Sequence, residues 1–210
     1  GIFRGFDIAR TLARGDGPLD TMNRPFDEAR SGFLFAQGGA AMLVLESEAH
    51  ARERGANVLG YVAGYGESFD AYSMMSLGPE GGQIPRMIEQ AVAAAGLAAE
   101  DIGYVNAHGT GTELNDATEA HLIECCFPAS PRVNSTKALL GHTIGASGAF
   151  EALVTLLTLH HQRTHGMPNL DAPIGAIDLV HTAQPVNARH GFSQSFAFGG
   201  HNAGLVLSRA

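Results

Sequence analysis

The stretch from Ile144 to His161 is almost uncharged; apart from its two terminal histidines, Glu151 is its only ionisable side chain. A helix that is apolar nearly all round has no face to give to water, so it must be buried against other layers. The rest of the chain supplies them. Ile102 to Asn106 reads as a short strand, and Glu113 to Phe127 as a helix whose early acidic residues suit the helix dipole. Val133 and Asn134 end another short strand. Upstream, Val58 to Tyr65 reads as a strand running on through polar residues to Asp70. Pro85 to Ala95 reads as a helix, with proline suited to its first turn and Gly96 ending it. Phe192 to Phe198 and Gly204 to Ser208 predict a closing hairpin around Gly199-Gly200. Strands and helices alternate, so the expected class is α/β, a mixed or parallel sheet covered by helices. Nearer the start, residues 1–14 predict a short helix and 15–37 loops. Gly38 to Glu46, with Ala-Ala-Met-Leu-Val-Leu at its centre, predicts a buried strand, and 47–54 a short charged helix.

Composition limits the function classes. With 45% hydrophobic and 16% charged residues, the 210-residue chain can bury a sizeable core. A net charge of −8 disfavours a broad nucleic-acid surface. No apolar run has membrane-spanning length. The two cysteines, Cys125 and Cys126, are adjacent, a poor arrangement for a structural disulfide, and the expected setting is a reducing cytoplasm. His-Glu-x-x-His and comparable ligand runs are missing, so no metal site is expected.

The chemistry-bearing residues concentrate in two glycine-punctuated segments. One is Asn106-Ala107-His108-Gly109-Thr110-Gly111-Thr112. The other is Ser135-Thr136-Lys137-Ala138-Leu139-Leu140-Gly141-His142, which holds the only lysine among thirteen basic residues. Lysine is a compact charge that arginine does not replace in a tight site. His142 is placed at the opening of the buried helix, where desolvation and the helix N-terminus keep imidazole neutral. A neutral imidazole N–H suits a developing oxyanion or enolate. His160, His161, His165, His181 and His190 have no such context and read as solvated or local.

These two segments, with Ser195-Phe196-Ala197-Phe198-Gly199-Gly200-His201-Asn202, resemble the β-ketoacyl-acyl-carrier-protein synthases. Arg24-Pro25-Phe26-Asp27, Arg30-Ser31-Gly32-Phe33 and Met42-Leu43-Val44-Leu45-Glu46 fit the same pattern. The resemblance runs along the whole chain in order. It implies a thiolase-like fold of two similar halves in a homodimer or heterodimer. Residues 1–55 would be the tail of the first half and 56–210 the second half. The fold would be complete only with an N-terminal half lying upstream of Gly1.

The activity implied is decarboxylative Claisen condensation of a malonyl thioester with an acyl thioester, in fatty acid or polyketide synthesis. Both substrates would ride on the phosphopantetheine of acyl carrier protein, with no further cofactor. By the same resemblance His108 and His142 bind the malonyl thioester carbonyl. Lys137 orders the site with Glu151 as its partner, and Thr110 and Thr112 bind the phosphopantetheine arm. Phe198 gates the nucleophile, with Gly199 and Gly200 freeing that loop. The nucleophilic cysteine belongs to the complementary N-terminal half or chain; Cys125 and Cys126 are expected to be buried packing residues. Gln194, Ala197, His201 and Gln37-Gly38-Gly39-Ala40 depart from the family pattern, which bears on gate motion and acyl-chain choice. A non-catalytic partner subunit and another thiolase-fold acyltransferase are the alternative readings.

Overall fold

The computed structural model describes all 210 residues. There are eight strands and six α-helices, which alternate from β1 to α5, while the last five strands follow one another without a helix between them. They are α1 (Ile2–Ile8), α2 (Glu48–Glu53), β1 (Gly60–Phe69), α3 (Ile84–Ala94), β2 (Ile102–Asn106), α4 (Glu113–Cys126), β3 (Arg132–Asn134), α5 (Lys137–Leu140), α6 (Ser147–His161), β4 (Arg163–Thr164), β5 (Asp178–Leu179), β6 (Gln184–Pro185), β7 (His190–Ala197) and β8 (His201–Arg209). Six strands form a mixed sheet in the order β1-β8-β7-β2-β3-β5. The β1–β8 and β8–β7 pairs are antiparallel, and β7, β2, β3 and β5 run parallel. No helix is long and apolar enough to cross a membrane.

Neighbouring residues of a strand point to opposite faces of the sheet, and the core divides accordingly. Val105, Phe192 and Val206 join the larger cluster with Met87 and Ile88 of α3 and Leu122 and Ile123 of α4. Tyr104 and Leu207 join the smaller cluster with Ala152, Leu156 and Leu159 of α6. The nearly uncharged helix thus lies on the face opposite α3 and α4, with one side of it buried, whereas Leu157 is exposed and Phe150, Leu153 and Val154 are half-buried, so the full burial expected of it is met on one side only.

The approach of α3 to the sheet is set by two glycines. A Cβ at Gly64 would lie 2.1 Å from the carbonyl oxygen of Ala91, and one at Gly66 2.1 Å from that of Met87. Gly60, at the start of the same strand, meets Leu156 of α6 instead. The register shift between Val62 and Gly64 accounts for this change of face, because an extra residue inverts the alternation.

Two expectations near the N-terminus are corrected. The first helix stops at Ile8. Gly38 to Glu46 is not a buried strand: Met42, Val44 and Leu45 are 89%, 79% and 74% exposed. Apolar periodicity reports what a segment is suited to, but a strand also needs a neighbour for its backbone groups, and none of the six strands pairs with it.

Candidate active site

The parallel strands β2 and β3 both end in turns at the same edge of the sheet. After β2 the chain turns through His108 to Thr112 into α4. Gly109 holds φ +42, and a Cβ there would lie 2.5 Å from Cβ of Ser135. Only glycine fits that conformation and that space. The Ser135 hydroxyl donates to the Gly109 carbonyl at 2.7 Å, joining the two turns.

Lys137 opens α5 directly after β3 and is almost wholly buried. Its ammonium donates to the His108 carbonyl at 2.6 Å and to His108 Nδ1 at 3.1 Å. It also pairs with Glu151 of α6, as the family resemblance implies. The second Glu151 oxygen accepts from the Ser195 hydroxyl of β7 at 3.1 Å. A buried ion pair is tolerable only when its remaining hydrogen-bonding capacity is used, and here four elements meet to use it.

His142 does not open the buried helix, since α6 begins at Ser147. It lies between α5 and a single 3-10 turn, bridged to Phe35, with its N–H donating to the Leu34 carbonyl at 2.7 Å. Its Nδ1 accepts from the backbone N–H of Ile144 at 3.1 Å, with the Ser147 hydroxyl 3.0 Å away. Ile144 holds φ +56, a conformation that costs a β-branched residue about 1–3 kcal/mol. That turn is what aims its N–H at the imidazole.

Both rings are therefore fixed in one tautomer. In each, Nδ1 accepts from an N–H group, so the proton of the neutral ring sits on Nε2. Both are held neutral, first by burial and then by the Lys137 charge. His108 lies well below the ordinary histidine range, and His142 is pushed down to about 3. The cause for His142 is thus burial and the lysine, not a helix N-terminus. The ring centroids of His108 and His142 are 5.7 Å apart.

The two histidines line one cavity of about 550 Å³ together with Thr110, Thr112, Phe198 and Gly199. The hydroxyls of Thr110 and Thr112 are 3.0 Å apart. The Phe198 ring is partly exposed and packs on Phe6 at 5.8 Å. The following turn is latched: the Gly199 N–H donates to the Met74 carbonyl, and the Asp70 N–H to the Gly200 carbonyl, both at 2.9 Å. Two neutral N–H donors in a largely apolar cavity can stabilise an oxyanion or enolate without water competing for it.

All nine residues singled out from the sequence thus gather here, with Lys137 and Glu151 behind the cavity wall. Cys125 and Cys126 do not. Cys125 is exposed and Cys126 half-buried against the core, so Cys125 is not the buried packing residue expected. It sits in the last turn of α4, one turn after His121, whose ring it approaches. Sequence reasoning missed Asp116 and Glu119, buried carboxylates of α4, and the pocket wall of Phe6 and Phe33. The signal for the carboxylates was present: two acids three residues apart, just after a glycine-rich turn.

The family described as beta-ketoacyl synthase, C-terminal domain, matches residues 59–171. The 3-oxoacyl-[acyl-carrier-protein] synthase 2 of Mycobacterium tuberculosis is 40% identical over 190 residues, 89% of this chain and 45% of that protein. The chloroplastic 3-oxoacyl-[acyl-carrier-protein] synthase II of Arabidopsis thaliana is 35% identical over 97% of this chain and 39% of its own length. The chain therefore spans less than half the length of these curated relatives. Among solved structures, a beta-ketoacyl synthase from Burkholderia phymatum superposes with a TM-score of 0.90 at 31% identity, over 100% of this chain and 52% of that one. A type II PKS ketosynthase complex, with its acyl-carrier protein and bound to the hexaketide, superposes with a TM-score of 0.93 at 27% identity, over 99% and 52%.

Proposed function

This chain belongs to the beta-ketoacyl synthase family, and from that premise we propose that it supplies the decarboxylating half of a condensing site. The substrate is a malonyl thioester carried on acyl carrier protein. Its thioester oxygen is held by the Nε2–H groups of His108 and His142. The C–C bond to the carboxylate breaks, carbon dioxide leaves, and the electron pair is delocalised as an enolate onto that oxygen. The enolate carbon then attacks an acyl thioester on a cysteine outside these 210 residues, and the cysteine thiolate departs. Thr110 and Thr112 bind the phosphopantetheine arm. Phe198, released by the Gly199-Gly200 turn, opens and closes the way to the acyl group. Lys137 and Glu151 act through His108, because the ammonium engages both its carbonyl and its ring.

The observation that carries this reading is the shared tautomer: both Nδ1 atoms accept from N–H donors, which leaves two Nε2–H groups in one cavity. The test is made in the protein completed by a complementary N-terminal segment bearing the cysteine, the proposed partner. Carbon dioxide release from malonyl-carrier is measured for the unmodified protein, His108→Ala and His142→Ala. Loss of release in both variants with acyl loading intact supports the reading. Undiminished release in either rejects its place as a donor.

A further inference from the structure

Glu119 is fully buried on α4, takes no part in the proposed chemistry and is met by amide donors only, with no cation among its hydrogen-bond partners. Every hydrogen-bond partner of its carboxylate is a donor. The backbone N–H groups of His108 and Gly109 donate to it at 2.6 and 2.7 Å, from consecutive residues of the turn that carries the histidine. The Gln194 side-chain amide of β7 donates at 2.7 Å and that of Asn115 at 3.2 Å. Gln194 Oε1, on the other side of the same amide, is buried without a partner.

We propose that Glu119 is a positioning residue, which with Gln194 clamps the His108–Gly109 backbone and so sets the aim of the His108 ring. A carboxylate is the one side chain that can accept from two adjacent amides and two side-chain donors at once. Lys137 holds the same turn from the other end, through the His108 carbonyl. The turn is thus fixed between an anion at its N–H groups and a cation at its carbonyl. The bearing of this clamp on catalysis rests on the condensation reading above.

The clamp depends on the charge state of Glu119. Burial, and after it the neighbouring charge of Asp116, push its carboxyl up to about 7 against the hydrogen bonds that oppose the shift. Of the other ionisable groups at this end of the sheet, Asp116 lies on the same helix, and His108 stays neutral. Lys137 and Glu151 are paired with each other behind the turn. A protonated Glu119 would place an O–H among four donors. The orphaned Gln194 oxygen offers the relief, because turning that amide over presents an acceptor to the new proton. Both backbone N–H groups then exchange a charged acceptor for a neutral one, and the turn is held less firmly.

The test follows the amide proton resonances of His108 and Gly109 in the completed, isotope-labelled protein between pH 5.5 and 8.5. Both are expected to shift with a common midpoint near 7, and the step is expected to vanish in Glu119→Gln. In parallel, Glu119→Gln is expected to lower malonyl decarboxylation about 100-fold, the scale of a small misplacement, and to leave acyl loading unchanged. Amides that do not titrate in the unmodified protein overturn the clamp whatever the activity. So does a Glu119→Gln variant with undiminished decarboxylation. Titrating amides in a protein that releases no carbon dioxide support the clamp and remove the condensation reading instead.

Discussion

The Lys137 ammonium reaches His108 twice, at the backbone carbonyl 2.6 Å away and at the ring Nδ1 3.1 Å away. One side chain therefore fixes both the position of the residue and the tautomer of its imidazole. The geometry needs a small cation with donors that can point in several directions. A planar guanidinium cannot serve the carbonyl, the ring and Glu151 from the same place. Lys137→Arg is expected to lower malonyl decarboxylation at least about 100-fold, while Arg132→Lys at the surface leaves it unchanged. Assays of carbon dioxide release on both variants decide it. Near-normal rates in Lys137→Arg would contradict the role given to this lysine.

Removing the cation altogether has a second consequence. Lys137→Met leaves Glu151 buried beside Ser195 without its partner. Breaking one side of a buried pair costs about 3–5 kcal/mol, so the chemical melt of Lys137→Met is expected to move down sharply. Lys137→Met with Glu151→Leu removes both charges and is expected to recover a good part of the loss while remaining inactive. A double variant no more stable than Lys137→Met would show that the pair is not coupled.

The histidines make stability pH-dependent in a stated direction. His108 and His142 lie below their ordinary value near 6.5 when folded, His142 at about 3. The unfolded chain therefore binds protons that the folded one refuses. Their contribution is present above pH 6.5 and is lost as pH falls through their folded values, for His142 toward 3. Glu119, raised to about 7 from 4.5, has the opposite sign: its contribution is present below pH 4.5 and lost as pH rises through 7. Unfolding measured at pH 5 and pH 7 is expected to lose less stability on acidification in His142→Gln than in the unmodified protein. The difference is at most about 1.4 kcal/mol per pH unit. Equal slopes would mean that His142 is not held neutral by burial.

The sheet itself offers a test away from the site. A methyl group at Gly66 would lie 2.1 Å from the Met87 carbonyl, so Gly66→Ala has to push α3 off the sheet. Overpacking of this kind costs about 1–3 kcal/mol. Gly96 holds φ +68 with nothing near its Cβ position, and Gly96→Asn is expected to be close to neutral because asparagine tolerates that conformation. Equal melting temperatures for the two variants would refute the close approach of α3.

Much of this was legible in the sequence where local pattern and tertiary partner agree. The strand Ile102–Asn106 and the helices after it were readable because their apolar periodicity is answered by real neighbours, β3, β7 and α6. Gly38 to Glu46 failed for the converse reason: its pattern is that of a strand, and no strand lies beside it. His108, Lys137 and His142 were found as residue types at glycine-punctuated turns. Of what holds them, Glu151 came from the family resemblance, whereas the parts of Asp116, Glu119 and Ser195 were not read: the two acids stand in plain view after the glycine-rich turn, but their contacts to backbone amides and to a buried ion pair leave no periodic trace. The acids of α4 read as dipole partners in the sequence; in the fold two of them turn inward to hold the His108 turn.

The central claim is that His108 and His142 serve malonyl decarboxylation, and not loading of the acyl chain. The most direct measurement uses His142→Ala in the completed protein, with labelled acyl-carrier to trap the acyl-enzyme and labelled malonyl-carrier to count carbon dioxide. Losing one such donor costs about 3 kcal/mol of barrier. The expected result is normal acyl-enzyme with carbon dioxide release slowed by about two orders of magnitude. A variant that fails to load the acyl group but still releases carbon dioxide at the normal rate would contradict the account and place His142 beside the nucleophile as its base.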